Sequence, residues 1–234
     1  MPLTSRVSPL SHGFGDAVGE HLSDEERAFV YRWLAGLFAR ELSLEALTTY
    51  RTQDGAALLR QLERLPALAG LVRELSSRTE GEGSLGPVAG ELAGAFARLF
   101  LSVGGRRSAP PYESAYTSER GLLFQEAVDH MGESLADLAL GVPRDFPEPP
   151  DHIAVQLSVM AELAGRCEGL AVGEELETLV RKQRSFLEAR LIPWVPRFRD
   201  DCAAFDRSGF YATVAGALVE FVTSDAAWLR EGSG

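Results

Sequence analysis

"LSDEERAFVYRWLAGLFARE", Leu22 to Glu41, is the stretch whose reading decides the fold. Ser23 can accept a hydrogen bond from the first helical turn, and Glu26 stands three residues on to return one, the reciprocal pattern of a capping box. Val30, Trp33, Leu34, Leu37 and Phe38 then recur at intervals of three and four, which lines one face of an α-helix. The same period predicts helices over 43–51, 55–64, 66–78 and 87–101, with Pro66 suited to a first helical turn. It returns over 118–140, from Ile153 through Leu157, Met160 and Ala164, over 173–190, and in a last helix carrying Phe210, Val214, Leu218 and Phe221. No segment alternates like a strand and no period of 20–50 residues repeats. The expected fold is all-α, one compact domain of about nine or ten helices. That domain is expected to span 21–228, after a Ser-, Pro- and Gly-containing tail over 1–20. The irregular stretch 102–117 is the place for a hinge between two helical halves.

Charge and composition narrow the function. Against 23 Lys and Arg stand 34 Asp and Glu, a net charge of -11. Nucleic-acid binding needs basic stripes that displace counterions, so no nucleic-acid partner is expected. A cationic partner fits the field, although the charge also serves plain solubility. Cys167 and Cys202 are the only cysteines and form no CxxC, which disfavours a disulfide framework and points to a reducing cytoplasm. Met1 to Glu20 holds no apolar run of the secretory kind, and no uncharged apolar stretch is long enough to span a bilayer.

The motifs of several enzyme classes are missing. The chain has no GxxxxGK[ST] phosphate loop, no GxGxxG unit and no HExxH. Its four histidines, His12, His21, His130 and His152, complete no pair of ExxH motifs. Glu126 and His130 could begin a metal site, but their four-residue spacing equally makes a surface ion pair. Ser114 sits in no GxSxG elbow, and adjacent Asp151 and His152 diverge by about 100° on a helix, so a hydrolase triad has little support. No metal, cofactor or catalytic residue is expected. The competing readings are a helical metal- or nucleotide-dependent enzyme built on Glu126, His130 and His152, and a scaffold without peptide specificity.

Two proline-rich stretches remain to be explained. "APPYESAYTSERGLLFQE" (109–126) places two tyrosines around a small hydroxyl, and "PPDHIAVQLSVMAEL" (149–163) starts a helix behind two prolines. With "FLEARLIPWVPRFRDD" (186–201), in this order, they resemble motifs of the TorD/DmsD family of chaperones for molybdenum-containing oxidoreductases. Pro111, Ser114 and Tyr116 match that family's first motif, where Ala109 and Pro110 replace a common acidic lead. Pro150, Asp151 and His152 match the second. "YRWLAGLF" (31–38) and "FARLFLSVG" (96–104) support the resemblance, which covers about residues 24–226.

The resemblance implies a cytoplasmic, all-helical binding protein that catalyses nothing. Its partners would be the N-terminal leader, often twin-arginine, and the apo catalytic subunit of a molybdopterin oxidoreductase, held until its cofactor is inserted. Monomers and domain-swapped dimers both occur in such a family, and 102–117 would be the exchange hinge. A twin-arginine leader presents guanidinium groups and then an apolar stretch, so its site needs carboxylates and aromatic walls. Pro111, Tyr112, Ser114, Tyr116, Glu119, Asp151 and His152 are the expected peptide-binding residues. Phe146 and Met160 are further candidate walls; Glu113, Asp145 and Glu148 are further candidate anchors. Each has a structural alternative: Asp151 as the N-cap of its helix, His152 as a core or carbonyl-bonding residue, Tyr116 as core. Trp194 and Phe198 read as core.

Overall fold

The structure, a computed structural model, describes residues 22–101, 103–118, 126–142 and 146–231. Among these residues there are eleven α-helices and no β-strand, as the apolar periodicity requires. Helix α1 (Asp24–Ala39) opens with the expected capping box: Glu26 N–H donates to Ser23 Oγ at 3.2 Å, and Ser23 N–H to Glu26 Oε2 at 2.7 Å. Its apolar face lies along α8 (Ile153–Cys167), and this pair forms the centre of the molecule. Burying Leu34, Leu37 and Phe38 there contributes about 1.5–3 kcal/mol each.

Helices α2 (Leu44–Arg51), α3 (Gln53–Glu63) and α4 (Pro66–Thr79) follow, with Ser43 and Thr52 as caps and Pro66 at the first position of α4. The long C-terminal helix α11 (Phe210–Glu231) packs on α4 and on α10 (Val195–Phe205). Phe96 and Phe100 of α5 (Gly86–Phe100) join Phe38, Phe198 and Tyr211 in an aromatic cluster, with ring centres 5.1–5.9 Å apart. The buried apolar side chains form one cluster that includes residues on both sides of 102–117. Trp194 and Phe198 belong to it, as expected, and so does Met160, which is fully buried and therefore no groove wall.

Two expected helices differ from their expected bounds. The expected 118–140 helix is described from Glu126 as α7 (Glu126–Asp137); a single turn, α6 (Ser114–Thr117), precedes it, and residues 119–125 lie outside the described residues. Helix α7 stops short because Ala139 takes the left-handed backbone conformation at φ 52°. The 173–190 helix is α9 (Glu174–Phe186) followed by one π-helical turn over Leu187–Leu191. Such turns insert an extra residue and re-aim side chains. Here the turn carries Arg190, which bonds to Glu113 far away in sequence.

A tight turn delivers the first proline segment to the start of α8. Gly104 N–H donates to Arg98 O at 3.1 Å, and Ala109 N–H to Leu99 O at 2.9 Å. A Cβ at Gly104 would lie 2.5 Å from Arg98 O and 2.6 Å from Arg107 O, so only glycine fits. At the other end of the molecule, fully buried Arg27 of α1 makes a two-pronged pair with Asp225 of α11, Nε to Oδ1 at 2.6 Å and Nη2 to Oδ2 at 2.9 Å. Gln183 Oε1 and Asp24 Oδ1 accept from the same guanidinium, and Tyr31 donates its hydroxyl to Asp225 Oδ2 at 2.6 Å. No helix among the described residues is long and apolar enough to cross a membrane.

Candidate functional site at the seam of two proline-rich segments

The chain segments around Tyr112 and His152 run antiparallel and touch through a single backbone bridge. Ile153 N–H donates to Pro111 O at 2.9 Å, and Glu113 N–H donates to Asp151 O at 3.1 Å. The prolines explain why the contact is so short. Pro110, Pro111, Pro149 and Pro150 have no N–H to extend a ladder, so they hold the chain extended without building a sheet. Residues separated by about forty positions are thereby zipped together, and the two motifs become one site.

Asp151 is not the N-cap of α8. That role belongs to His152, whose Nδ1 accepts from Ala154 N–H at 3.1 Å. Asp151, fully buried, reaches across the seam instead, where its Oδ2 accepts from Ser114 N–H at the start of α6 at 3.1 Å. Its other oxygen, Oδ1, has no hydrogen-bond partner among the described residues, and neither has the buried Oγ of Ser114. Two polar atoms left unpaired inside a folded chain each cost roughly 1–3 kcal/mol.

His152 is buried between two rings, with Tyr112 at 5.1 Å and Phe146 at 5.3 Å, both edge-to-face. Burial lowers its pKa from 6.5 to about 3. It is therefore neutral, with Nδ1 as acceptor and the proton on Nε2. Tyr112 is half-buried and donates its hydroxyl to Glu148 Oε2 at 2.7 Å. Burial, and then the Glu148 carboxylate, pushes the Tyr112 phenol well above its usual range.

Behind the seam lies a fixed polar network. Glu113, almost fully buried, accepts from Gln156 Nε2 at 2.6 Å and from Arg190 Nη1 at 3.1 Å. Trp194 Nε1–H is shared between Gln156 Oε1 at 3.2 Å and Arg190 O at 2.6 Å. Burial pushes Glu113 up to about 7, although Arg190 and the Gln156 bond pull the other way. Tyr116 is buried and stacks on Trp194 with ring centres 5.5 Å apart, while Arg197 donates to its backbone carbonyl.

The structure thus gathers Pro111, Tyr112, Ser114, Tyr116, Asp151 and His152 in one place; Glu119 and Asp145 lie outside the described residues. Tyr112 and Glu148 face outward in part, whereas Ser114, Tyr116, Asp151 and His152 are buried behind them. Glu113 is corrected from a surface anchor to an internal one, because its oxygens are already engaged. Arg190, Gln156 and Trp194 were not expected here. Trp194 sits in the third motif, the one signal that could have tied that segment to the first two. Among the described residues no three His, Cys, Asp or Glu side chains gather in a form that could hold a metal ion. Glu126 and His130 are exposed on α7, while His152 is enclosed at the head of α8.

A family model described as the nitrate reductase delta subunit matches residues 44–200, which contain the first two motifs and all but the last residue of the third. The chaperone protein TorD of Vibrio parahaemolyticus is 35% identical over 211 residues, spanning 88% of this chain and 95% of that protein. The chain belongs to the TorD family. TorD chaperones of Vibrio atlanticus and Photobacterium profundum are similar to it at 36% and 34% identity, with the same coverage. The matched span takes in the seam, beginning before the first proline segment and ending beyond Trp194.

Proposed function

We propose that this TorD-family chain is a cytoplasmic, system-specific chaperone for a molybdopterin oxidoreductase. It binds the N-terminal leader of the unassembled catalytic subunit, a twin-arginine leader in this reading, and holds the subunit while its cofactor is inserted before export. It makes and breaks no bond itself. The observation that carries the reading is the Asp151 carboxylate, which lies behind a one-bridge seam with an oxygen and a neighbouring hydroxyl unpaired. A leader arginine supplies the missing donors, and a charge-assisted bond there is stronger than one between neutral groups.

The parts divide the work. Tyr112 and Glu148 form the outer part of the site, an aromatic ring beside a carboxylate, and buried Phe146 packs behind them on His152. Asp151 and Ser114 lie beneath, reached when the seam parts, and Glu113, Gln156, Trp194 and Tyr116 brace the loop from behind. The net charge of -11 draws a cationic leader toward the chain before contact.

Calorimetry with a twin-arginine leader peptide tests this reading. Binding is expected, and affinity should fall modestly between about 50 and 500 mM salt, because screening acts on the ionic contacts and not on the apolar ones. A twin-lysine version should bind more weakly, since an ammonium cannot engage a carboxylate in two-pronged fashion. Equal affinity for the two peptides, or none for either, would contradict the proposal.

A further inference from the structure

A groove of about 530 Å³ runs between α7 and α9, and Arg190, which bonds to Glu113, lines part of it. Leu163 of α8 and Phe186 form its apolar floor. Its rim carries Arg181, Lys182 and Arg190 against a single acid, Asp137. That balance is the reverse of the whole chain, whose net charge is -11. Arg190 is held in place by Glu113, whereas exposed Arg181 donates only to Thr178 Oγ1 at 2.9 Å. Neither Arg181 nor Lys182 is paired with a carboxylate among the described residues.

The groove also has length. Thr178, Arg181, Lys182, Ser185 and Ala189 share one face of α9 and its π turn. They extend about 16 Å at the helical rise of 1.5 Å per residue. A single phosphate or carboxylate would use a fraction of that length, whereas three turns of a helix would use all of it. Small side chains at Ser134, Ser185 and Ala189 leave room for a second helix backbone to approach. An acidic segment would be repelled by most of this chain and attracted here, so the charge fixes both its position and its identity.

We propose that the α7–α9 groove is a second docking site, for an acidic amphipathic helix of a protein partner. It lays its apolar stripe on Leu163 and Phe186 and its carboxylates against Arg181 and Lys182. The proposal rests on the chaperone reading only for the partner being the client subunit; the site itself does not depend on it. A cationic leader is excluded from this groove by like charge, so the two sites take different segments.

Fluorescence anisotropy on the full chain tests the assignment. The probe is a labelled helical peptide of about 14 residues, nearly four turns, with glutamates along one face and leucines along the other. It should bind, and a peptide with lysines in place of the glutamates should bind at least about tenfold more weakly. Arg181→Glu combined with Lys182→Glu changes only exposed side chains and should abolish binding of the glutamate peptide while leaving twin-arginine leader affinity unchanged. Undiminished binding by the double variant would overturn the proposal. So would complete displacement of the peptide by inorganic phosphate, which would mark a small-anion site. Loss of leader binding alone, with the glutamate peptide still held, would sink the leader reading and leave the groove intact.

Discussion

Two of the buried acid-centred networks among the described residues, at Asp225 and at Asp151, differ in completeness. At Asp225 both carboxylate oxygens are used: Arg27 binds them in two-pronged fashion and Tyr31 adds a third donor. Gln183 then links the guanidinium to Cys167, so α1, α8, α9 and α11 are tied by one closed circuit. At Asp151 one oxygen serves Ser114 N–H and the other serves nothing among the described residues. A buried carboxylate is tolerated when its partners are supplied, and a chain that supplies them at Asp225 evidently can. The unfinished network sits at a seam of two short proline-rich segments; the finished one sits between long helices. In the proposed reading the finished network serves structure, and the open oxygen at the seam is where a leader arginine would bind.

The largest effect that could break this contrast is at the finished network. Asp225→Ala leaves buried Arg27 with only Asp24 and Gln183 as partners and should cost up to about 3–5 kcal/mol of stability, measured by urea unfolding. At temperatures where the variant stays folded, leader affinity should match the parent. A variant of parental stability would show that the closed circuit is not structural.

A smaller effect concerns the pH dependence of stability. Glu113 is raised from 4.5 to about 7, so the folded chain holds its proton where the unfolded chain has released it, and this contribution falls as pH rises from 4.5 to 7. His152 is lowered from 6.5 to about 3, so the unfolded chain takes up the proton first, and this contribution is lost as pH falls from 6.5 to 3. The two slopes oppose each other between pH 4.5 and 6.5. Glu113→Gln removes one of them. Stability should then rise more steeply with pH in that window, by up to about 1.4 kcal/mol per pH unit. An unaltered profile in denaturant titrations would show that Glu113 ionises as an ordinary surface carboxylate.

The smallest effect sharpens the outer part of the seam. Tyr112→Phe removes only the hydroxyl that donates to Glu148, and stability should fall by about 0.5–1.5 kcal/mol. The ring remains against His152 and the Glu148 carboxylate is freed, so leader affinity should be kept or improved. A loss of leader affinity would make the hydroxyl itself a contact.

The helices were legible in the sequence because period and caps are local signals. Ser23, Glu26 and Pro66 act where they were read, since each needs only its own first turn. The far end of the 118–140 pattern was not legible, because a helical period says nothing of the left-handed backbone at Ala139 that ends α7 at Asp137. The site was legible as a set of motifs but not as an arrangement. Asp151 has the sequence context of an N-cap, and only the antiparallel bridge turns it toward Ser114. Glu113 could not be recognised as internal without knowing that a π turn brings Arg190 to it. Arg27 and Asp225 did leave a trace: each is a charge placed on the apolar face of its helix, beside Tyr31 and Leu34 in α1 and beside Phe221 and Val222 in α11. Two such misplaced opposite charges point to one another.

The unfinished carboxylate is tested most directly by Asp151→Asn, with leader affinity and thermal unfolding measured on the same preparation. Asparagine retains an oxygen for Ser114 N–H and removes the charge, so the melting temperature should stay close to the parent's. Affinity for the twin-arginine leader should drop by about 1.5–3 kcal/mol, the range for a hydrogen bond to a charged group. Unchanged affinity would contradict the account, reduce Asp151 to a brace between the two proline segments, and move the binding site away from the seam.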